Sequence, residues 1–431
     1  MSLAPAVKIP EHLVKEAVRK APSKIVLSGR NPKFDILLEG KRVYYALGGT
    51  PDPYMADLET GEWIRPTREH VAMAARLGDA LPNIDVVMAL ASASDVPPEV
   101  SWLHELATIF NNTEKPMAYS AAGAEGAKHT LAMAAAIVGG YEELKKKHII
   151  TIESSFITPL GMDIQHENII EFAKANVPVI CGSGMMVGAA TPITQAGAIT
   201  LGNAEFLCAA TLAELVNPGT PIMYCAESSN MDLRTGTVLY GHPERGISCV
   251  LQSQMAEFYG VPTFTVGGST DAKCTDAQAG LEAMGTAMMG ALAGVDVIEC
   301  LGKIGSGSAG SLEMAVVADE IASYVKRILR GVQVDDETIA VDLISKVGPG
   351  GHFLSQEHTR RFLQKGEFWV SELLDREPAR TWKKSVSKTL ADVAREKARR
   401  ILEERHPPPL PRETQEEIAN ILKQADKRSR P

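Results

Sequence analysis

Seven short apolar runs separated by helical stretches, an eighth candidate run behind them, and the polar residues that end each run predict an α/β protein. The class is a TIM (β/α)8 barrel with an N-terminal β-hairpin extension and a helical C-terminal arm. The runs are VVMALAS (86–92), PMAYSAA (116–122), IITIESS (149–155), VPVICGS (177–183), PIMYCAE (221–227), PTFTVGG (262–268) and VDVIECLG (295–302). They are apolar throughout rather than alternating, as parallel strands covered on both faces should be. The eighth, GGHFL (350–354), follows a further helical stretch, and eight β/α units indicate a barrel. The barrel is placed at 81–375, the extension at 1–80 and the arm at 376–431.

In a parallel barrel the C-terminal strand ends share one face, where the loops build the active site. The polar run ends therefore converge: Ser92, Ser94 and Asp95, Ser120, Glu153 to Ser155, Ser183, Glu227 to Ser229, Ser269 and Asp271, and Ser306. Helix capping after βα loops would account for about half of them without any function. Within the extension, 34–49 reads as a β-hairpin turning at Glu39-Gly40, a lid or plug on one barrel end. The arm is charge-dense and helical, broken by the stiff spacer HPPPLP (406–411). It is expected to wrap the barrel or to contact another subunit, so a homo-oligomer is expected.

Composition narrows the function. The chain has 431 residues, 45% hydrophobic and 23% charged, and a net charge of −9 argues against nucleic acid or an anionic membrane surface as partner. The uncharged stretch 175–204 is long enough to suggest a membrane span, but its prolines and glycines read as strand, loop and helix. With no secretory signal to read, the cytoplasm is the expected compartment. Six scattered cysteines, without C-x-x-C or Cys/His spacing, suit reducing surroundings and packing roles, and no metal is expected. A zinc site from Cys181, Cys225 and Cys300 would need three strand ends to meet.

Two glycine clusters need a reason. GKIGSGSAGS (302–311) could form a backbone N–H nest for phosphate, a flexible lid, or a loop kept thin so that something large can approach. GSGMMVG (182–188) has the wrong spacing for a dinucleotide fingerprint, and the acid that should grip a ribose, Glu205, sits in a helical pattern. No G-x-S-x-G, H-E-x-x-H or Walker A sequence occurs.

The segments GRNPKFDILLEGKRVYY, DALPNIDVVMALASASDVP, NNTEKP, MMVGAATPITQAGAITLGNAE, GGSTDAKCTDAQAG, GALAGVDVI and GPGGHFLSQEHTRRFL, in this order over nearly the whole chain, carry a resemblance. The chain resembles the trimethylamine methyltransferase (MttB) superfamily, in particular the branch that lacks pyrrolysine and includes glycine betaine:corrinoid methyltransferases. The resemblance implies an enzyme of methylamine metabolism that moves a methyl group from an amine to the cobalt of a corrinoid carried by a separate small protein, with no tightly bound cofactor of its own. It makes Gly305, Gly307, Ser308 and Gly310 the loop that the corrinoid approaches, with Ser308 nearest the pyrrolysine position.

A loop of serine and glycine suits a quaternary ammonium, which leaves as a neutral tertiary amine and needs no proton; positioning and dry surroundings then supply the rate. Such a cation is held by aromatic faces and carboxylates. The strand-end candidates are Tyr119, Phe156, Tyr224 and Phe353, with Asp95 and Glu153 for charge, and Glu227, Asp271 and His352 as catalytic groups. For a betaine carboxylate His352, Arg234, Lys273 or Lys303 could donate. Lys303 stands where the family pattern has an apolar residue; it would repel a cation unless it points away or the substrate is anionic or zwitterionic. Two other readings remain: a phosphate-binding lyase or isomerase using Lys273 or Lys303, and a barrel that binds a quaternary amine without turnover.

Overall fold

The computed structural model describes residues 7–121, 123–384 and 388–428. Its core is an eight-stranded parallel sheet: β1 Tyr44–Leu47, β2 Val86–Val87, β3 Met117–Ser120, β4 Ile150–Ser155, β5 Val179–Gly182, β6 Ile222–Cys225, β7 Phe264–Val266 and β8 Val297–Leu301. The order is β6-β5-β4-β3-β2-β1-β8-β7. A parallel bridge between Tyr224 and Thr263, and a Tyr224 N–H donating to the Pro262 carbonyl at 2.8 Å, bring β6 to β7 and close the TIM barrel. Outside it lie α1 Arg68–Ala80, α2 Ser101–Asn112, α3 Gly123–Val138, α4 Glu167–Lys174, α5 Gln195–Val216, α6 Pro243–Tyr259, α7 Ala277–Ala293 and α8 Leu312–Leu329. All seven runs carry barrel strands, though residue 122, which ends one run, lies outside the described residues. Helix α5 is long and apolar enough to cross a membrane by length and composition, but here it packs on β5 and β6 as an outer helix.

The eighth strand is not GGHFL but Tyr44–Leu47, the first in the chain. Its apolar residues pair in parallel with β8 on one side and β2 on the other. The 350–354 run fails as a strand because Gly348 and Gly350 take positive φ (69° and 75°) and turn the chain on the surface, leaving Phe353 and Leu354 exposed.

The hairpin is corrected by the same fact. The chain does turn at Gly40 (φ 71°), but 36–38 and 44–47 do not pair. Strand Ile25–Leu27 pairs with Ile36–Leu38 in an antiparallel ribbon instead. Ile25, Leu27, Ile36 and Leu38 are buried against Ala46, Val86, Ala118, Ile180, Met223, Phe264 and Val297, which line the lumen. The ribbon therefore plugs the N-terminal end, each of its buried apolar side chains contributing about 1.5–3 kcal/mol.

The arm wraps its own barrel. Helix Leu390–Glu404 packs on α8 and α1, and helix Arg412–Arg428 on α3. Leu410, Ile418 and Ala425 enter the outer core, and His104 meets Asp426 at 2.9 Å.

Candidate active site at the C-terminal mouth

Successive residues of a strand point to opposite faces. In β6, Met223 and Cys225 face the lumen, so Glu227, two residues on, continues inward; Tyr224 between them packs outward on Phe206, at 4.5 Å between ring centroids. In β8 the inward Val297 is followed by Glu299, and in β4 Glu153 completes the set. Three glutamates at one end of a lumen, Glu227 and Glu299 buried and Glu153 half-buried, are the defining feature of the site.

Their charges are tightly managed. Glu227 forms an ion pair with the fully buried Arg245 at 3.1 Å. Arg245, in the first turn of α6, is aimed by donating to the Val266 and Ser228 carbonyls and to Ser229 Oγ at 3.0–3.1 Å. Burial is the largest single influence and would lower its pKa, but the groups around it, Glu227 foremost, together outweigh burial and raise it. Burial, and then the charge of Glu227, raises the pKa of Glu153. Burial, then Glu153 and Glu227, holds Glu299 well above the ordinary carboxylate range, which favours its protonated form. Glu299 Oε2 is buried and accepts no hydrogen bond among the described residues.

Lys303 follows β8 and is 4% exposed. It pairs with Asp52 and donates to the Thr50 carbonyl, both at 2.8 Å. Burial is the largest single influence and would lower its pKa; Cys300, Asp52 and Tyr240 together outweigh it, and Lys303 stays charged. Lys303 thus borders the site, but with its charge balanced by Asp52. Four acids, Asp52, Glu153, Glu227 and Glu299, face two cations.

The glycine loop is neither a nest nor an open lid. Lys303–Ile304 and Ala309–Ser311 pair as an antiparallel hairpin, and the second strand joins Tyr54–Ala56 in parallel. The N–H groups of Gly305, Ser306 and Ser308 donate to the carbonyls of Ala272, Thr270 and Ile304, which leaves too few for a phosphate. Glycine is required where the turn meets aromatic rings. At Gly305 (φ 61°) a Cβ would lie 2.3 Å from Trp63, and at Gly307 (φ 70°) 2.9 Å from Tyr240. Gly310 presses on Leu90, and Ser308 sits at the tip of the same turn. Asp271 secures this side: it accepts from the Tyr240 and Gly241 N–H groups at 2.8 and 3.0 Å and from Ser306 Oγ at 2.9 Å. Both oxygens of Asp271 are thus engaged in holding the Tyr240–Gly241 backbone and the turn at Ser306.

Beside the glutamates, at the ends of β3 and β4, a cavity of about 360 Å3 is lined by Pro51, Trp102, Ser120, Glu153, Ser155 and His166. It has the size of a small-ligand site, with a carboxylate and three aromatic rings, those of Trp102, Tyr119 and His166, on its walls. A second cavity, of about 620 Å3, lies at the opposite end, among Arg42, Asp79, Asp85 and Lys115.

Of the candidates read from sequence, Glu153 and Glu227 meet at the mouth and Asp271 supports it. The others are elsewhere. Tyr119 is the exception: its strand position points away from the lumen and its hydroxyl donates to Glu105, yet its side chain lines the cavity beside Glu153. Phe156 packs in the outer core, edge-on to His166 at 5.3 Å. Asp95 pairs with Arg68 at the start of α1. His352 and Phe353 lie on the exposed turn between the short helices Val341–Val347 and Glu357–Gln364. Among the candidate carboxylate donors, Arg234 is exposed on Asp232, and Lys273 is exposed and donates to the Asp271 carbonyl. The thiols do not converge either: Cys181 belongs to the outer core and Cys225 to the lumen, and no group of three metal-binding side chains forms among the described residues. Glu205 holds the loop after β4, accepting from the Leu160 N–H at 2.7 Å.

Sequence reasoning does not single out Asp52, Trp102, His166, Tyr240, Arg245 or Glu299. Glu299 has a signal, a lone acid in an apolar strand at the inward parity. Arg245 and Asp52 have none, because only the folded loops bring them in.

Comparison with known proteins follows this geometry. Residues 4–429 match the family described as trimethylamine methyltransferase (MTTB). A trimethylamine methyltransferase MttB of Desulfitobacterium hafniense (strain DSM 10664 / DCB-2) is 35% identical, over 97% of this chain and 84% of its own length. The glycine betaine methyltransferase of D. hafniense (strain Y51) is 33% identical, over 98% and 88%. A dihydropteroate synthase from Clostridium difficile overlays at 11% identity with a TM-score of 0.39, over 66% of this chain and 97% of its own. The chain belongs to the trimethylamine methyltransferase (MTTB) family.

Proposed function

We propose that this protein takes a methyl group from a quaternary, betaine-like amine and passes it to the Co(I) corrinoid of a partner protein. The observation that carries the reading is the surplus of acid at the mouth: even with Glu299 protonated, Asp52, Glu153 and Glu227 stand against Arg245 and Lys303. Such a site attracts a cation and disfavours phosphate. The ammonium head would lie in the cavity between Trp102, His166 and Glu153, where aromatic faces and a carboxylate replace its hydration. A carboxylate on the same substrate would find a donor in protonated Glu299 or in Lys303.

Loss of the methyl group leaves the electron pair on nitrogen and yields a neutral tertiary amine, so no proton is needed. The residues orient the C–N bond and exclude water. Exposed Ile157, Leu160, Ile164, Ile193 and Leu233, on loops that follow β4, β5 and β6, form an apolar collar beside the mouth, which suits the wide, largely apolar face of a corrin ring. When bound, a Co(I) corrinoid supplies the nucleophile. Glu153, Trp102 and His166 would hold the amine beneath it.

The test is anaerobic. The protein is mixed with reduced cob(I)alamin and, separately, glycine betaine, carnitine, γ-butyrobetaine, proline betaine, choline and trimethylamine, and the cobalt spectrum is followed. Methylcobalamin formed with one quaternary amine and not with trimethylamine is expected. Tight binding without turnover, even with a corrinoid protein supplied, would instead indicate a binding-only barrel.

A further inference from the structure

At the plugged end of the barrel two cavities adjoin that the proposed reaction does not use. The larger, of about 620 Å3, opens between the ribbon, the end of α1 and the arm from Arg405 to Pro408. The smaller, of about 480 Å3, opens between the turn at Gly40 and the C-terminal ends of α7 and α8. Arg42, Tyr44 and Asp85 line both, so the two share a wall and form one cleft.

The two halves differ in charge. The smaller has four cations on its walls, Lys41, Arg42, Lys326 and Arg330, and one acid, Asp85. Lys326 already matches Asp85 at 3.2 Å. Arg330 donates to the Gly366 and Glu367 carbonyls and meets no carboxylate among the described residues. The side chains of Lys41 and Arg42 make no hydrogen bond or ion pair among the described residues, and Glu39 beside them is held by Lys24 at 3.1 Å. The dipoles of α7 and α8 favour cations at their C-terminal ends, which accounts for Lys326 and Arg330 but not for Lys41 and Arg42 on the turn. Three unmatched cations thus gather in a chain whose net charge is −9, and a multiply charged anion would relieve their repulsion. The larger half is balanced. Lys33 pairs with Glu114 at 3.7 Å, and buried Lys115 is held by the Gly78 and Leu81 carbonyls at 2.8 and 2.7 Å. Its walls carry the rings of Phe34 and Tyr44 and two carboxylates, Asp35 and Asp79, that form no ion pair among the described residues. Flat rings and open acceptors suit a heterocycle with amino groups.

We infer that this cleft binds a nucleoside phosphate, with the phosphate on Lys41, Arg42 and Arg330 and an amino-bearing base in the larger half beside Phe34, Tyr44 and Asp79. Arg42, which lines both halves, lies at the joint between base and phosphate. Charged side chains here take the place of a glycine-rich nest. The ribbon and the packed lumen separate the cleft from the mouth, so its ligand is not the amine.

The test is isothermal titration calorimetry on the full chain with AMP, GMP, adenosine and inorganic phosphate at one ionic strength, alongside its Lys41→Glu/Arg42→Glu variant. At least one nucleotide is expected to bind with a Kd on the order of micromolar, with adenosine and phosphate each about 10-fold weaker or more. The variant is expected to bind that nucleotide about 100-fold more weakly, with unchanged far-UV circular dichroism, since both side chains are exposed and hold nothing in place. A photoactivatable azido derivative of the same nucleotide supplies a readout on the wild type alone, and labelling within 33–44 or 79–85 is expected. Absence of nucleotide binding, binding indifferent to the double substitution, phosphate binding as tightly as the nucleotide, or labelling confined to the mouth would each overturn the inference.

Discussion

The mouth of the barrel and the exposed lobe that follows α8, residues 332–370, break the usual burial rule in opposite directions. At the mouth Asp52, Glu227, Arg245, Glu299 and Lys303 are charged or ionisable groups under water-excluding walls. On the lobe, Leu354, Phe368 and their neighbours are apolar groups in water. Both arrangements cost free energy in the isolated chain. Under the proposed function a cationic substrate would offset the first cost, and polar clasps such as Arg361 on Glu337 offset part of the second.

The largest expected effect comes from breaking the charge balance of the mouth. Arg245→Met strands Glu227 in a buried site and should lower unfolding free energy by about 3–5 kcal/mol, with methyl transfer falling ~100-fold or more. Urea denaturation and the cobalamin assay would show it. Unchanged stability would mean that the pair is far better hydrated than its burial implies. Next, Gly307→Ala places a side chain at positive φ against Tyr240 and should cost about 1–2 kcal/mol. It should also slow turnover by moving the hairpin, whereas Ser308→Ala, in the same turn, should leave stability within about 0.5 kcal/mol.

Glu299 sharpens the comparison through pH. Its folded pKa lies above the ordinary 4.5, so above pH 4.5 the unfolded chain releases this proton first, and stability falls as pH rises toward the folded value. Glu299→Gln keeps the shape and removes the titration. Its stability profile should be flatter than wild type, with an advantage at pH 8 on the order of 1–3 kcal/mol. A steeper profile would contradict the assignment. The smallest effect tests the outer side of the cavity wall: Tyr119→Phe deletes a hydroxyl bonded to Glu105 and costs about 1–2 kcal/mol of stability, and because the ring stays in the wall, methyl transfer in the cobalamin assay is expected close to wild type.

The barrel is legible in the sequence because parallel strands buried on both faces must be apolar throughout, and seven such runs in succession suit few architectures besides a closed parallel sheet. Strand β1 is not, because Tyr44 to Leu47 is short and sits next to a turn signal at Gly40 that suits a hairpin equally well. The same continuity hides the site. An apolar run without alternation does not reveal which residues face the lumen, so Tyr119 and Tyr224 look equivalent to Glu153 and Glu227. Once the lumen residues of β6 and β8 are known, parity separates them and adds Glu299. Arg245 and Asp52 depend on loop paths that no local pattern encodes.

The ribbon of Ile25–Leu27 and Ile36–Leu38 makes the barrel a vessel with one doorway. Under the proposed reaction, amine, methyl acceptor and demethylated product all use the same opening, and an acceptor too large to enter would shut it. Traffic is then compulsory in order: the amine enters first, the acceptor seals the doorway for the transfer, and it departs before the product can follow. An acceptor that arrives early blocks the enzyme it serves.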